Sequence, residues 1–171
     1  AMASGATFAA RVLDADLKGM KDTFLKAQEH KGVSFVEIFF NCVTFADKVF
    51  ENYTKKDLRD DTTVRLEPGK PMIFGKEGNK GLKLNGLNIE VVEIGKDGVT
   101  EADLLVHDPS NANRAYLWSQ LTDRMPIGVR KHVATADCMT VIQNQFNTGS
   151  QKRGEGDVDQ LVVGKDAWVV K

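Results

Sequence analysis

Two short apolar runs flank an amphipathic segment in the first 48 residues. The run ATFAARV (6–12) predicts a strand, and VSFVEIFF (33–40) predicts a second one. Between them, apolar residues recur at spacings of three and four, which predicts a helix capped by Asp14 or Asp16 and ended near Gly32. Strand, helix and strand within about 35 residues are typical of a right-handed parallel crossover. The predicted apolar helical face consists of Leu17, Met20, Phe24 and Ala27.

The run 33–40 carries apolar side chains on both of its faces. Strands of this kind occur in parallel sheets that are covered by helices on both sides. Burying six such side chains is worth about 9–18 kcal/mol as an upper bound, comparable to the net stability of a domain. We therefore expect a central strand that is shielded from water. Its one charge, Glu37, is expected to meet an arginine, a backbone amide or a neighbouring subunit, with a catalytic role as the alternative.

The remaining chain alternates between charged, glycine-rich and periodic segments. Residues 147–157 are rich in glycine and charge and are expected to be mobile. The tail, 159–171, is expected to pack Trp168 and several valines against other parts of the protein. The other predicted segments are a charged surface excursion (51–64), short strands and turns (68–86), a strand (87–95) and helices at about 110–121 and 136–146.

Composition limits the class of protein. The 171 residues suit one medium domain, and a net charge of −1 argues against a general nucleic-acid binder. No apolar run approaches the roughly 18–20 residues of a membrane span. Residues 1–12 lack the features of a signal peptide, and their abrupt entry into a strand suggests a fragment or a trimmed chain. Two widely separated cysteines indicate no disulfide framework, so a reducing cytoplasm is expected.

Cys42 is the strongest candidate for chemistry. It lies just beyond the carboxyl end of the predicted strand 33–40, and ligands collect at that edge of open α/β sheets. The alternative is a buried structural thiol that packs as a small hydrophobe, and position alone favours this alternative. One cysteine cannot supply an iron–sulfur cluster, which needs several thiolates.

The other candidates have structural interpretations. Cys138 is expected to pack in a core, and His30 to end a helix. His107 and His132 have no second ligand at metal-site spacing. The segment GKEGNKG (75–81) lacks the residue order of a phosphate-binding loop, so we interpret it as a hairpin turn.

Four segments together resemble a known family, the β subunits of 2-oxoacid:ferredoxin oxidoreductases. The resemblance is to the later half of that subunit and is closest to the 2-oxoglutarate type. It runs in the same order over nearly the whole chain, and Asn-Cys-Val-Thr-Phe (41–45) is its most specific piece. The segments are ASGATFAARV (3–12), HKGVSFVEIFFNCVTF (30–45), GLNIEVVEIGKDGVTEADLLVHD (86–108) and MPIGV (125–129).

The resemblance implies a fold and an activity. Residues 1–48 would end a thiamine-diphosphate-binding α/β domain with a parallel sheet, and residues 49–171 would form a smaller α+β C-terminal extension. The family decarboxylates a 2-oxoacid oxidatively, here 2-oxoglutarate by likeness, and joins the acyl group to coenzyme A. Its electrons pass through a [4Fe–4S] cluster to ferredoxin. The implied partners are the α subunit, ferredoxin, coenzyme A and the 2-oxoacid, with no nucleic acid and no membrane.

By position, Cys42 matches the last of the four cluster ligands in that family. The other three cysteines and the Gly-Asp-Gly segment for magnesium and the diphosphate lie upstream in the family and are absent from this sequence. We therefore expect thiamine diphosphate, magnesium and one [4Fe–4S] cluster in the complete subunit, none held by this chain alone, and no activity from it alone. The family's Pro-Thr-Tyr-like start of the last helix is replaced here by residues 134–138 (ATADC). The alternative is a non-catalytic α/β partner-binding module with a buried thiol.

Overall fold

The computed structural model describes residues 1–154, 156–165, 167–168 and 170. The chain forms two compact units, residues 1–135 and 136–171. The first unit contains β1 (Phe8–Leu13), α1 (Leu17–Glu29), β2 (Ser34–Phe39), α2 (Glu51–Thr54), α3 (Arg59–Thr62), β3 (Thr63–Leu66), β4 (Ile73–Phe74), β5 (Lys80–Asn85), β6 (Asn88–Glu93), a 3-10 turn (Glu101–Asp103), α4 (Ala112–Ser119) and β7 (Met125–His132). The second unit contains α5 (Cys138–Arg153) and α6 (Val158–Val163).

The predicted strand–helix–strand unit is confirmed. β1 and β2 pair in parallel, with Phe8 opposite Ser34 and Leu13 opposite Phe39. Asp16, rather than Asp14, caps α1: its Oδ1 accepts a hydrogen bond from the Gly19 amide at 3.1 Å.

The sheet around this unit is mixed, whereas the sequence predicts a parallel one. Its strand order is β2-β1-β7-β3, and β7 runs antiparallel to β1 but parallel to β3. The fold is therefore mixed α/β with two parallel strand pairs. β3 begins in the last two residues of the segment predicted to be a surface excursion (51–64), and β7 returns to the sheet of the first 48 residues. The boundary expected after residue 48 stays a prediction.

β2 lies at the edge of the sheet, so the expectation of an enclosed central strand is wrong for this chain. Among the described residues, only β1 pairs with it. Phe35 is 47% exposed and Ile38 is 40% exposed. The side chains have the composition of a buried strand, but the described elements cover only part of them.

β1 takes the central position instead. Phe8 and Ala10 are buried with Val129 against Ala27 of α1. The alternation of side chains places Leu13 on the opposite face of the sheet, where it packs with Met125 and Ile127. The predicted face of α1 is only partly correct, because Leu17 is 71% exposed and Phe24 is 43% exposed while Thr23 is buried.

A three-stranded antiparallel sheet, β4-β5-β6, accounts for the glycine-rich middle of the chain. The turn predicted at 75–81 connects β4 to β5, and β6 confirms the strand predicted at 87–95. A core cluster forms where β3 meets these strands, around Met72, Leu82 and Trp118.

In the second unit, α5 extends the predicted helix as far as Arg153 and therefore includes part of the segment expected to be mobile. Neither helix of this unit buries a residue among those described. Trp168 is 83% exposed, so the packing expected for the tail is not found there; residues 155, 166, 169 and 171 of these two segments lie outside the described residues. No helix of the described chain is both long and apolar enough to cross a membrane.

Candidate functional site

The candidate site is the loop that follows β2. Three residues past the end of that strand, the Cys42 carbonyl accepts a hydrogen bond from the Ala46 amide at 2.9 Å. This bond closes a tight reversal, and residues 43–45 form its tip. The sequence predicts Cys42 just beyond the carboxyl end of a strand, and the structure has it there. The strand is parallel to its neighbour β1, as the argument for a ligand-binding edge requires.

The Asn41 side chain connects the two ends of this loop by hydrogen bonds. Its Nδ2 donates to Asp47 Oδ1 at 3.1 Å, and its Oδ1 accepts from the Lys48 amide at 2.8 Å. Lys48 has a φ of 61°, in the left-handed region that residues with a side chain rarely adopt. The Asn41 side chain therefore spans the loop and stabilises an unfavourable backbone conformation at its far end.

The Cys42 side chain is partly buried, and the backbone of its own loop affects the pKa of its thiol. The amides of Phe45 and Thr44 lower the pKa of Cys42, burial opposes them, and the Ala46 amide adds to the lowering. Oriented N–H groups stabilise a thiolate, the form of cysteine that binds metals. The Cys42 side chain is partly exposed, and in this respect it differs from the fully buried thiol of the alternative interpretation.

Two large apolar side chains that follow Cys42 in the chain remain exposed. Phe45 is 92% exposed and Val43 is 78% exposed, both at the tip of the loop. At the base of the loop, Phe39 and Phe50 stack with their ring centroids 4.5 Å apart. The base is therefore packed, whereas the tip presents apolar surface of the kind that marks an interaction site.

Glu37 has an arginine partner, one of the three kinds of partner expected for it. Its Oε2 lies 2.7 Å from Arg11 Nε, and the Arg11 guanidinium also lies over the Phe39 ring, 4.7 Å from its centroid. Arg130 is only 4% exposed, and it lies close enough to Arg11 and Glu37 for their charges to act on its pKa. Burial and the Arg11 charge lower the pKa of Arg130 to about 10, and Glu37 opposes this. Sequence reasoning missed Arg130 because its proximity depends on the pairing of β7 with β1.

The histidines have structural contacts. His107 is buried, and its Nε2 lies 2.8 Å from the Val129 carbonyl oxygen, while burial lowers its pKa. His30 Nε2 lies 2.8 Å from Thr7 Oγ1, and its ring lies 5.0 Å from that of His132. Burial and then the His132 charge lower the pKa of His30. Sequence reasoning did not predict this histidine pair, because His132 is brought next to His30 by the pairing of β7 with β1.

The sequence predicts that Cys138 packs in a core, and this prediction is wrong. This cysteine begins α5 and is exposed. Within the described ranges, no group of three or more histidine, cysteine, aspartate or glutamate side chains is arranged to hold a metal ion.

A pocket of about 490 Å³ lies beside α1, over β1, β7 and β3, and sequence reasoning did not detect it. At its edge, Arg65 Nη2 lies 2.7 Å from Asp16 Oδ2. Burial alone would raise the pKa of Asp16, but the Gly19 amide and Arg65 outweigh it and lower the value. The lining carries both signs of charge, with Lys18 and Lys26 near Asp22 and Glu67, so it does not select one class of ligand.

Comparison with known proteins gives a consistent result. No protein-family model matches the chain. It is 26% identical over 178 residues to the 2-oxoglutarate oxidoreductase subunit KorB of Mycobacterium tuberculosis (strain ATCC 25618 / H37Rv), an alignment that covers 99% of this chain and 47% of that protein. The chain thus spans about half the length of the curated relative it matches.

Among solved structures, the chain resembles the 2-oxoglutarate:ferredoxin oxidoreductase of Magnetococcus marinus, determined with 2-oxoglutarate, coenzyme A and succinyl-CoA bound. The TM-score is 0.50 at 19% identity, over 95% of this chain and 40% of that one, and at this identity the match speaks for the fold alone. Together, the two comparisons confirm the resemblance predicted from the sequence: over nearly its whole length, this chain is similar to part of a 2-oxoglutarate oxidoreductase subunit.

Proposed function

We propose that the chain is part of the β subunit of a 2-oxoacid:ferredoxin oxidoreductase. The complete enzyme would decarboxylate 2-oxoglutarate oxidatively, form the coenzyme A thioester and pass the electrons to ferredoxin. The observation that carries this proposal is the alignment with a 2-oxoglutarate oxidoreductase subunit over 99% of the chain. In this proposal, residues 1–48 end the thiamine-diphosphate-binding domain and residues 49–171 are its C-terminal extension.

Within that subunit, Cys42 would be one of four thiolate ligands to a [4Fe–4S] cluster. Its side chain is partly exposed, and loop amides lower the pKa of its thiol, which favours the ionised form that binds metals. Hydrogen bonds to ligand sulfurs and limited solvent exposure are the features by which proteins adjust such clusters. When bound, the cluster would accept and release single electrons. The chain's own contribution is to supply one thiolate and to orient it from a packed loop base.

The remaining groups would come from the part of the subunit that this chain does not contain. The relative is about twice as long as this chain, which leaves room for three further cysteines and for the magnesium and diphosphate segment. The exposed apolar edge strand β2 supports this division, because a strand of that composition is normally covered. On this view the partners are the α subunit and ferredoxin.

A second candidate function is a non-catalytic module that binds another protein. The observation in its favour is the exposed apolar tip of the Cys42 loop, Val43 and Phe45. The alignment with an oxidoreductase subunit over 99% of the chain counts against it.

The test compares the complete subunit with this chain. We expect the complete subunit, assembled with its α subunit, to reduce a viologen acceptor in the presence of 2-oxoglutarate and coenzyme A. Carbon dioxide should be released in proportion to the acceptor that is reduced. The 171-residue chain, under the same conditions, is expected to show no turnover. Turnover by the chain alone, or no 2-oxoacid-dependent reduction by the assembled complex, would contradict the proposal.

A further inference from the structure

We propose that His30 and His132 form a pH-sensitive switch at one end of the mixed sheet. In their neutral forms the two side chains pack together and hold the last residues of the first unit in place, and protonation separates them and frees those residues. His30 ends α1 and His132 ends β7, so the pair joins two elements that lie far apart in the chain. The switch uses no residue of the Cys42 loop and does not depend on the proposed function.

The pair belongs to a cluster of three rings. The centroids of the His30 and His132 rings lie 5.0 Å apart, with their planes at 74°. Phe8 of β1 is the third ring, with its centroid 5.5 Å from that of His30 and 5.4 Å from that of His132, and it is fully buried. The side of the imidazoles that faces Phe8 is therefore shielded from water. At this separation, two charged imidazoles repel each other.

A hydrogen bond fixes the position of the His30 ring. Its Nε2 lies 2.8 Å from Thr7 Oγ1, which also accepts from the Val33 amide at 3.2 Å. Nε2 can accept the hydroxyl proton when the ring is neutral, and it can donate to the hydroxyl oxygen when the ring is charged. The bond is therefore compatible with both states. It holds His30 next to His132 but does not offset the repulsion between two charged rings.

The charges around the pair favour its neutral form. Burial and then the His132 charge lower the pKa of His30, and within the described residues no carboxylate contributes to this pKa. The carboxyl end of α1 would favour a charged imidazole, but the direction of the shift shows that this effect is outweighed. Cations outnumber acids among the charged residues close to the pair and its contacts in sequence, which are Lys26 and Glu29 of α1, Lys31, Asp108, and Arg130 and Lys131 of β7.

The pair lies where β7 ends and the segment that leads to α5 begins. The Val133 amide donates to the Thr7 carbonyl at 2.9 Å. Thr135 packs against Gly32, because a Cβ added at that glycine would lie 2.5 Å from Thr135 Cγ2. These contacts come directly after the second histidine ring in the chain. Separating the two rings therefore removes the packing that supports residues 133–135.

The direction of the pKa shift gives the direction of the switch. His30 in an unfolded chain titrates at its ordinary pKa of 6.5, whereas the pKa of the packed residue is lower. The stabilisation by the pair is therefore complete above about pH 6.5 and is lost as the pH falls through the lower pKa of the folded state. Acid thus favours the separated arrangement, and neutral pH favours the packed one.

The first measurement is the titration of the imidazoles by NMR in the 171-residue chain. We expect the midpoint of His30 to lie below that of the same chain unfolded in urea, and His132→Gln to raise it toward the unfolded value. Lys131→Gln removes a permanent charge next to His132 in sequence; it is the matched control and should leave the midpoint of His30 unchanged. A His30 midpoint at the unfolded value, or one that His132→Gln does not raise, would overturn the inference.

The second measurement is amide hydrogen exchange, followed by NMR and corrected for the intrinsic rate at each pH. Val133 should exchange at least about threefold faster at about pH 5 than at about pH 7.5. Leu82, whose amide donates to the Met72 carbonyl in the core of the smaller sheet, should keep the same protection at both. In His132→Gln, the pH dependence of Val133 should disappear.

Equal protection of Val133 at the two pH values would show that the rings stay packed when they are charged, and the inference would then be wrong. The His30 titration and the Val133 exchange are both measured in the original chain. These two results therefore decide the inference even if the His132→Gln variant does not fold.

Discussion

Glu37 of β2 and Arg11 of β1 stand directly opposite each other in the parallel register, with 2.7 Å between Oε2 and Nε. Arg130, buried at 4% exposure, lies near both. One carboxylate thus balances two guanidinium groups on the sheet. This arrangement gives the strand's one charge a structural role in joining β2 to β1.

Replacing Glu37 by Gln should therefore destabilise the first unit. Two neighbouring cations would lose their counter-charge, and we expect the free energy of unfolding to fall by about 1–2 kcal/mol, since the pair is only partly buried. Urea titration followed by fluorescence of the buried Trp118, in a Trp168→Phe background, measures this. Glu51→Gln, at the exposed pair with Lys55, is the matched control and should cost under about 0.5 kcal/mol. Equal costs at the two sites would contradict the account.

The helix cap at Asp16 predicts a pH dependence. Asp16→Ala removes both the cap to Gly19 and the bond to Arg65 and should cost about 1–2 kcal/mol at pH 7. Asp16→Asn keeps a good cap and should cost less.

The sign of the pH effect follows from the direction of the shift. The folded state lowers the pKa of Asp16 below 3.8, so its stabilisation is complete above that value and is lost as pH falls through the folded pKa. The difference between the original chain and Asp16→Ala should therefore shrink as the pH of urea titrations is lowered below about 4. A difference that grows in acid would show that the shift has the opposite sign.

The core beneath the smaller sheet should be sensitive to truncation. Leu82 is fully buried in a cluster with Val64 and Trp118, so Leu82→Ala should cost about 2–5 kcal/mol through lost contacts and a cavity. Leu87→Ala is the matched control, because that side chain is 86% exposed and its loss should be nearly neutral. Thermal or urea unfolding gives both values. A cost at Leu82 as small as that at Leu87 would mean that this core is not packed as described.

The Cys42 thiol should ionise below the usual range for cysteine. In a Cys138→Ser variant of the chain, the rate of alkylation by iodoacetamide should rise with pH to a plateau, with a midpoint below the ordinary cysteine value of 9.0. The cause is the set of amides from Phe45, Thr44 and Ala46. A midpoint above about 9 would show that these donors do not act on the sulfur in solution.

Much of the local structure could be predicted from the sequence. The strand–helix–strand unit, the turn before β5 and a cationic partner for Glu37 follow from periodicity, turn residues and the cost of a buried charge. The pairing of strands could not be predicted, because the return of β7 to β1 depends on contacts between residues far apart in the chain. The apolar faces of β2 indicate that the strand should be covered, but they do not show which part of a protein covers it. Its position at the edge of the sheet was therefore not predicted.

The candidate site shows the same division. The position of Cys42 after a parallel strand follows from the local pattern, as does its match to a family motif. The hydrogen bonds of the Asn41 side chain across the loop were not predicted. They depend on the left-handed backbone conformation of Lys48, and no glycine in the sequence indicates a turn at that position.

The most direct test of the central claim is the iron content of the complete subunit after replacement of Cys42. Purified without oxygen, the Cys42→Ser subunit should hold little cluster iron and lack the brown absorbance, while the matched Cys138→Ser subunit should equal the original. If Cys42→Ser carries the same iron and the same absorbance as the original, then the sulfur at the end of β2 is not a cluster ligand and the account is wrong.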